Sequence, residues 1–414
     1  MTPELKGFML LGSLKSIAVF SAIMVGEIFV VWSERRVAGF IQDRLGPNRV
    51  GPEGLLQSVA DGLKNILKEE TRPAGADRIL FVLAPIMSFV PVMLLVSVIP
   101  FAAPLPVSFD FTLPLLGRFA FDGAMPMVIA DLPVGFLFIL AVSSLGVYGL
   151  VLAGWSSNSK YAFLGGLRAS AQMISYEIAM GLSLVAVLLL AGNVTLGQVI
   201  ARQQEALWFI FPLTLAFVFF AISALAETNR LPFDLPETEP ELVAGYHAEY
   251  SAMKFAMFYM AEYAALMTMS AMMATLFFGG WDIPFTTWDD VRVEAGAVVA
   301  GEPSVLKTIL TLGTFGVKTV FFIFCYIWVR WTLPRFRFDQ LMALGWKFML
   351  PAALGYIVIM AVSVWVLESA GLELGWLYGM TLFVLNLVLL GAWFRAIDRG
   401  HTIRGQHVRR LERA

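Results

Sequence analysis

One cysteine, three histidines and few charges bound this chain before any motif is read. A single cysteine leaves no intrachain disulfide, and no multi-cysteine iron–sulfur or zinc site made by this chain alone. No metal site is expected. His247, His401 and His407 all fall outside the middle of an apolar stretch, so paired axial haem ligands are not expected either. No glycine-rich phosphate loop opens a helix, which argues against a bound nucleotide. No nucleophile–base pair points to hydrolysis. Charged residues are 14% of the 414, against about 25% in soluble domains. Apolar residues fill the difference, at 58% against about 45–50%. Both deviations take lipid as the solvent. The net charge of −2 makes no case for nucleic acid. The first apolar stretch is long and ends in Glu34-Arg35-Arg36, not in a small-residue cleavage site, so no removable signal peptide is expected.

A helix needs about 20 mostly apolar residues to cross a bilayer. The hydropathy pattern predicts nine, running Gly7–Trp32, Ile79–Phe101, Met127–Gly154, Ala169–Gly192, Leu207–Ala226, Met253–Gly279, Thr308–Trp331, Phe348–Leu367 and Trp376–Phe394. The fold class is therefore an all-α integral membrane protein, a single polytopic domain over 1–414. Lys and Arg concentrate after the first, third, fifth, seventh and ninth spans. The first such loop alone holds Arg35, Arg36, Arg44, Arg49, Lys64, Lys68, Arg72 and Arg78. That bias puts the amino end outside and the carboxyl end in the cytoplasm. No internal repeat suggests an inverted-repeat transporter.

Two cytoplasmic loops carry more than connection. In the first, 33–78, Gly46-Pro47-Asn48 and Gly51-Pro52 signal turns. Leu55, Leu56, Val59, Leu63, Ile66 and Leu67 then recur at helical spacing, with Gln57, Asp61, Lys64 and Lys68 opposite. Such a helix is too short and polar to span and should lie at the membrane interface. It is either a plain surface helix over lipid or the frame of an opening for a lipid-soluble substrate. The other loop, 227–252, packs Glu227, Asp234, Glu237, Glu239, Glu241 and Glu249 around one base, Arg230. Pro232, Pro236 and Pro240 favour extended backbone there. A charge run is usually solvated. The interleaved Leu231, Phe233, Leu235, Leu242, Val243 and Tyr246 instead suggest a loop folded back against protein.

Ionisable groups inside the predicted spans are Lys15, Glu27, Asp131, Glu177, Glu262 and Lys318. Such groups are costly in lipid and usually face the protein interior. Arg168, Gln172 and Tyr176 are spaced four apart and share a face just before Glu177. Glu262 sits deep in the sixth span, and Glu227 closes the fifth. If these helices are neighbours, Glu177, Glu227 and Glu262 form a polar thread from the acidic loop to mid-membrane, the chemistry of a proton relay. The alternative is a set of separately paired charges that hold helices together. Lys15 and Glu27 read as lipid-shielded or snorkelling. Cys325 reads as a small apolar packing residue.

The stretches QDRLGPNRVGPEGLLQSVADGLK, GWSSNSKYAFLGGLRASAQMISYEIAMGLS, ETNRLPFDLPETEPELVAGYHAEYSAMKFAMFYMAEYA and RWTLPRFRFDQLMALGWKFMLP resemble the H subunit of bacterial NADH-quinone oxidoreductase, the counterpart of mitochondrial subunit 1 of respiratory complex I. The likeness runs to about Pro351. It implies a subunit of the bacterial inner membrane, where the membrane arm meets the hydrophilic arm. There it would form much of the chamber for a quinone substrate, expected to be ubiquinone. Iron–sulfur clusters and FMN would lie in partner subunits, with no cofactor held by this chain. The implied partners are the hydrophilic quinone-site and terminal iron–sulfur subunits and the small membrane subunits. Carried onto this sequence, Glu177, Glu227 and Glu262 match the buried glutamates. Asp234, Glu237, Glu239, Glu241 and Glu249 match the acidic coupling loop. Glu34, Arg35, Arg36 and Arg44 match the charged start of the first loop, at the quinone chamber.

This chain also departs from the pattern. It reads SSLGVYG around Ser144 where some relatives carry a carboxylate, which shifts its path toward water, Tyr148 or Asp131. Pro240 stands where serine is expected. Residues 285–303 enlarge an outer loop, and 369–414 add a ninth span and a basic tail, read as contacts to lipid or neighbouring subunits. Three other readings are the membrane subunit of a related energy-converting hydrogenase, a stand-alone cation transporter and a passive anchor for the hydrophilic arm.

Overall fold

In lipid every backbone N–H and C=O must be bonded within the protein, so apolar runs become helices. The computed structural model describes residues 2–114, 117–205, 207–236, 242–284, 286–289, 291–294, 297–300, 303–372 and 375–411. The helices are α1 (Pro3–Ile41), α2 (Gln57–Leu67), α3 (Arg78–Leu95), α4 (Gly135–Ser156), α5 (Lys160–Ala191), α6 (Leu196–Glu205), α7 (Thr214–Glu227), α8 (Ala252–Phe277), α9 (Val305–Thr332), α10 (Phe338–Ser369) and α11 (Trp376–Leu411). Among the described residues eight of them, α1, α3, α4, α5, α8, α9, α10 and α11, are long and apolar enough to cross a membrane. The chain is thus an all-α multi-pass membrane protein. Local signals set the helix starts. The Thr2 hydroxyl accepts from Leu5 N at 3.3 Å beside Pro3, and Asp77 accepts from Ile79 N and Leu80 N at 3.0 and 3.1 Å.

Three predicted elements differ in the structure. First, α1 does not stop at Trp32. It continues through Glu34-Arg35-Arg36 to Ile41, 39 residues in all. At 1.5 Å per residue that is about 58 Å, well beyond the hydrocarbon layer of about 30 Å. The charges end the apolar run but not the helix.

Second, the third span begins at Gly135. The segment before it forms an antiparallel hairpin, β1 (Ala102–Leu113) with β2 (Gly117–Met127). Val107, Phe109 and Phe111 alternate there with Ser108, Asp110 and Thr112, a period-two signal hidden between two apolar runs. The hairpin crosses the start of α1 so closely that a Cβ on Gly7 would stand 2.2 Å from the Ala120 carbonyl oxygen. Lys15 donates to the carbonyls of Pro126 (3.0 Å) and Val128. It anchors the hairpin and does not snorkel. Asp131 is exposed, outside any helix.

Third, the fifth span is half helix. Leu207–Leu213 make turns, and α7 has only 14 residues, about 21 Å. Such backbone survives at membrane depth only where protein covers it. Gln203 supplies part of the cover. Its Oε1 accepts from Phe209 N (3.1 Å) and Gly279 N (3.0 Å), and its Nε2 donates to Thr275 O at 3.0 Å. Nearby, Lys318 caps the end of α8, donating to the carbonyls of Phe278, Gly280 and Asp282 at 2.7, 3.1 and 2.6 Å. A second short hairpin, β3 (Val291–Glu294) with β4 (Ala297–Ala300), lies in the enlarged loop.

The core forms where α5, α7 and α8 pack through Ala, Leu, Met and Phe side chains. Small residues bring neighbouring helices together, as in membrane bundles generally. At the α3–α4 crossing a Cβ on Gly149 would lie 2.2 Å from Ser88 Oγ and 2.7 Å from Ser88 N.

Candidate functional site

The helix RASAQMISYE, the loop NRLPFD and the segment RWTLPRFRFD are far apart in sequence and meet in space. The face predicted from Arg168, Gln172 and Tyr176 is the face that receives the other two. Arg168 lies over the Phe338 ring at 5.7 Å. Gln172 Nε2 donates to Ala226 O (2.6 Å) and Phe233 O (2.7 Å), and the Tyr176 hydroxyl donates to Leu341 O at 2.9 Å. Phe336 N donates to Pro232 O at 3.2 Å. Arg335 Nη2 meets buried Asp234 at 2.6 Å. The described part of the loop, 227–236 and 242–252, is therefore folded against protein. His247 is buried there too. Burial pushes its imidazole down to about 4, with the Asp234 charge acting in the opposite direction.

Beside this junction sits a buried ion cluster. Glu34 of α1 accepts from the Tyr263 hydroxyl at 2.8 Å and pairs with Arg330 of α9. Arg230 reaches it from the loop, with Nη1 3.5 Å away. The other guanidinium nitrogen of Arg230 stands 3.2 Å from Glu262 of α8. The plane lies over the Tyr263 ring at 4.0 Å. Burial alone would lower the Arg230 pKa, but Tyr263, Glu262 and Glu34 outweigh it and hold the guanidinium above its ordinary range. One cation thus bridges two acids from different helices.

Behind Arg230 a cavity of about 50 Å³ opens between α3, α4, α5, α7 and α8. At about 15 Å³ each, it has room for roughly three waters. Glu227, Glu262, Tyr246 and Ser143 line it. The Tyr246 hydroxyl donates to Glu262 at 3.1 Å. Ser143 donates to Glu177 at 3.2 Å, and Ser144 donates to the same oxygen. Glu227 Oε2 is buried and makes no hydrogen bond among the described residues. Glu227 and Glu262 therefore face one mostly apolar space, and Glu177 reaches it only through the lining Ser143, with each acid on a different helix.

The family described as NADH dehydrogenase matches residues 14–361. Among curated proteins, H subunit 2 of the NADH-quinone oxidoreductase of Koribacter versatilis (strain Ellin345) is 46% identical over 365 residues, covering 86% of this chain and 98% of that relative. The chain belongs to the H-subunit family of NADH-quinone oxidoreductase. NADH-quinone oxidoreductase subunit 8 of Rhodothermus marinus is 46% identical over 350 residues, with 84% and 95% covered. The protein is a membrane subunit of that enzyme complex, and its partners are other subunits of the complex.

In this H-type chain the predicted residues separate into groups. Glu227 and Glu262 share one cavity, and Glu177 lies within electrostatic reach of Glu227. Glu34 is buried with Arg230, Arg330 and Tyr263. Arg35 and Arg36 point away from it. Arg35 pairs with Asp61 of α2 at 2.7 Å, and Arg36 pairs with Glu53. Arg35 ties the amphipathic helix to α1, and Arg36 ties the turn that precedes it. Arg44 is exposed and donates to Gln42 at 2.6 Å. Among the acidic-loop residues, Asp234 is paired as above and Glu249 is half-buried. Glu237, Glu239 and Glu241, with Pro240, lie outside the described residues. The gap left near Ser144 is filled by Ser143 and Ser144 themselves, while Tyr148 is exposed. Glu27 is buried one heptad before Glu34 and does not snorkel. Leu56, Val59, Leu63, Ile66 and Leu67 of the α2 region are exposed, an apolar face that the chain leaves uncovered. Sequence reasoning missed Arg330, Arg335 and Tyr263 as partners. The only signal was their position at span ends or beside Glu262.

Proposed function

We propose that this subunit walls the quinone chamber and couples quinone reduction to proton movement through Glu177, Glu227 and Glu262. The observation that carries the reading is the cavity lined by Glu227 and Glu262, with Glu177 held by the lining Ser143, and the bridge from Glu262 through Arg230 to Glu34. The quinone tail enters between α1, the uncovered face of α2 and α8. Arg36, Asp234 and the acidic loop, with Glu237, Glu239, Glu241 and Glu249, shape the polar end. Iron–sulfur centres in partner subunits would supply two electrons, and two protons taken up from the aqueous side would complete the quinol. A reduced ring carries negative charge that low-dielectric surroundings screen poorly. That charge competes with Glu34 for Arg230 and Arg330. Loosening Arg230 also loosens Glu262, because the same guanidinium serves both acids. The released carboxylate draws a proton from Glu227 or Glu177 across the cavity water.

In this reading the amino terminus faces outside and the carboxyl terminus the cytoplasm of a bacterial inner membrane. The names of the relatives favour a quinone-reducing complex over a hydrogenase. A stand-alone transporter would move cations in liposomes without partners, and this chain is expected not to. The test is Glu177→Gln in assembled membranes. NADH:quinone turnover and proton pumping should fall together. Both unchanged would remove Glu177 from the relay. Loop variants that assemble but do not reduce quinone would exclude a passive anchor.

A further inference from the structure

We propose that α11 is a positioning element for Glu227, and that Asn386 is the residue through which it acts. The proposal rests on the reading of Glu227 as a relay group. The matched family region ends at residue 361, before α11 begins at Trp376. The added helix therefore needs its own account.

Because α7 is too short to cross the bilayer, its first turn starts inside it. The opening N–H groups of any helix lack intrahelical partners. In water, solvent or a capping side chain would serve them. Here the cap position is Leu213, which has nothing to offer. The structure fills the role from two other helices. Leu215 N donates to Asn386 Oδ1 at 3.2 Å, and the Tyr356 hydroxyl of α10 lies beside the Ala216 backbone and interacts with it electrostatically. That hydroxyl donates in turn to Asn386 Oδ1 at 2.8 Å. Asn386 Nδ2 donates to Pro212 O at 2.7 Å and to Leu382 O at 2.9 Å. Both hydrogens and both lone pairs of the amide are used. Asn386 is fully buried. Trp393 of α11 stacks edge-on against Phe219 of α7 at 5.2 Å.

The far end of α7 is held in the same manner. Gln172 of α5 binds Ala226 O, the carbonyl just before Glu227. The helix is clamped between two side-chain amides, and Glu227 is its last residue. Any slide of α7 along its axis moves Glu227 relative to its titratable neighbours Glu177 and Tyr326. A purely adhesive Asn386 would affect only how much complex assembles. A positioning Asn386 alters the catalysis of the complex that has assembled.

The test compares Asn386→Leu, Asn386→Gln, Tyr356→Phe and Glu227→Gln in the whole complex in native membranes. Activity is normalised to assembled enzyme. For Asn386→Leu the expected result is turnover and pumping reduced about tenfold, the scale of a slightly misplaced group, with the KM for quinone unchanged. Its pH–rate profile should be displaced from the wild type. Asn386→Gln, which keeps the amide, should recover part of the loss. Tyr356→Phe should show a smaller loss of the same kind, and it decides the matter if Asn386→Leu does not assemble. Wild-type turnover, pumping and pH profile in both Asn386→Leu and Tyr356→Phe, with Glu227→Gln impaired, would overturn the positioning role alone. An unimpaired Glu227→Gln would instead overturn the relay reading, and this proposal with it.

Discussion

Replacing Arg230 with methionine should do more damage than any other single change in the loop. Arg230 is buried and serves Glu34 at 3.5 Å and Glu262 at 3.2 Å. At an effective dielectric of about 20, two unit charges 4 Å apart attract by about 4 kcal/mol. Desolvation takes back much of that, and breaking a buried pair from one side costs about 3–5 kcal/mol. The loss is unequal. Glu34 keeps the cation Arg330 as well as the Tyr263 hydroxyl, whereas Glu262 loses the Arg230 guanidinium and keeps the neutral Tyr246 hydroxyl among its partners. The assay is amide hydrogen exchange over residues 228–236 and the first half of α8 in the intact complex. A local loss of about 3 kcal/mol speeds exchange by roughly 10²-fold. Arg230→Lys should not rescue, since an ammonium lacks the flat fork that reaches both acids above the Tyr263 ring. Arg230→Met with Glu262→Gln should cost less than the sum of the two single changes, by about 0.5–3 kcal/mol of coupling. Exchange within a small factor of wild type in Arg230→Met, or strictly additive effects in the pair, would refute the bridging role.

Four further outcomes follow from the same structure. Because the folded His247 sits near 4 against an ordinary value of about 6.5, its contribution to loop stability is full above pH 6.5 and is lost as pH falls toward 4. His247→Gln should flatten that acid sensitivity in an inactivation-versus-pH series. Gln172→Leu leaves the Phe233 carbonyl without its side-chain donor, while Ala226 O keeps Asn229 N at 3.3 Å, and should cost about 1–3 kcal/mol, seen as reduced complex on native gels. Gly149→Ala should separate α3 from α4 at a cost of about 1–3 kcal/mol, and adding Ser88→Ala should not repair it, because the Ser88 backbone nitrogen is also within 2.7 Å. Arg35→Ala should be nearly silent in thermal stability, within about 1 kcal/mol, since its pair with Asp61 is largely exposed.

Much of this was legible in the sequence because lipid imposes simple rules. Apolar runs located every spanning helix, and fourfold spacing put Arg168, Gln172 and Tyr176 on the face that receives the loop. In the described part of the acidic loop, Phe233, Leu235, Leu242 and Tyr246 are buried as their interleaving suggested, while Val243 is exposed. The failures share one cause. Hydropathy sees composition, not hydrogen bonding. It read Leu207–Leu213 as helix although Gln203 and α8 satisfy that backbone instead. It started the third span at Met127, the last residue of β2, and it cut α1 at charges that are each paired from the side: Arg35 with Asp61, Arg36 with Glu53 and Glu34 with Arg330. Pairing was harder still. Arg230 looked like the lone base of its loop, but Arg330 and Arg335 arrive from more than ninety residues away to share its acids. No local pattern encodes that, and only packing of α9 against α1 and α8 brings it about.

The most direct measurement is an infrared difference spectrum of the assembled complex, oxidised against quinone-reduced, in the wild type and in Glu227→Gln. The account predicts a carboxyl band that changes on quinone reduction and disappears in the variant. A wild-type spectrum with no carboxyl change, or a band that persists unaltered in Glu227→Gln while pumping stays intact, would contradict it.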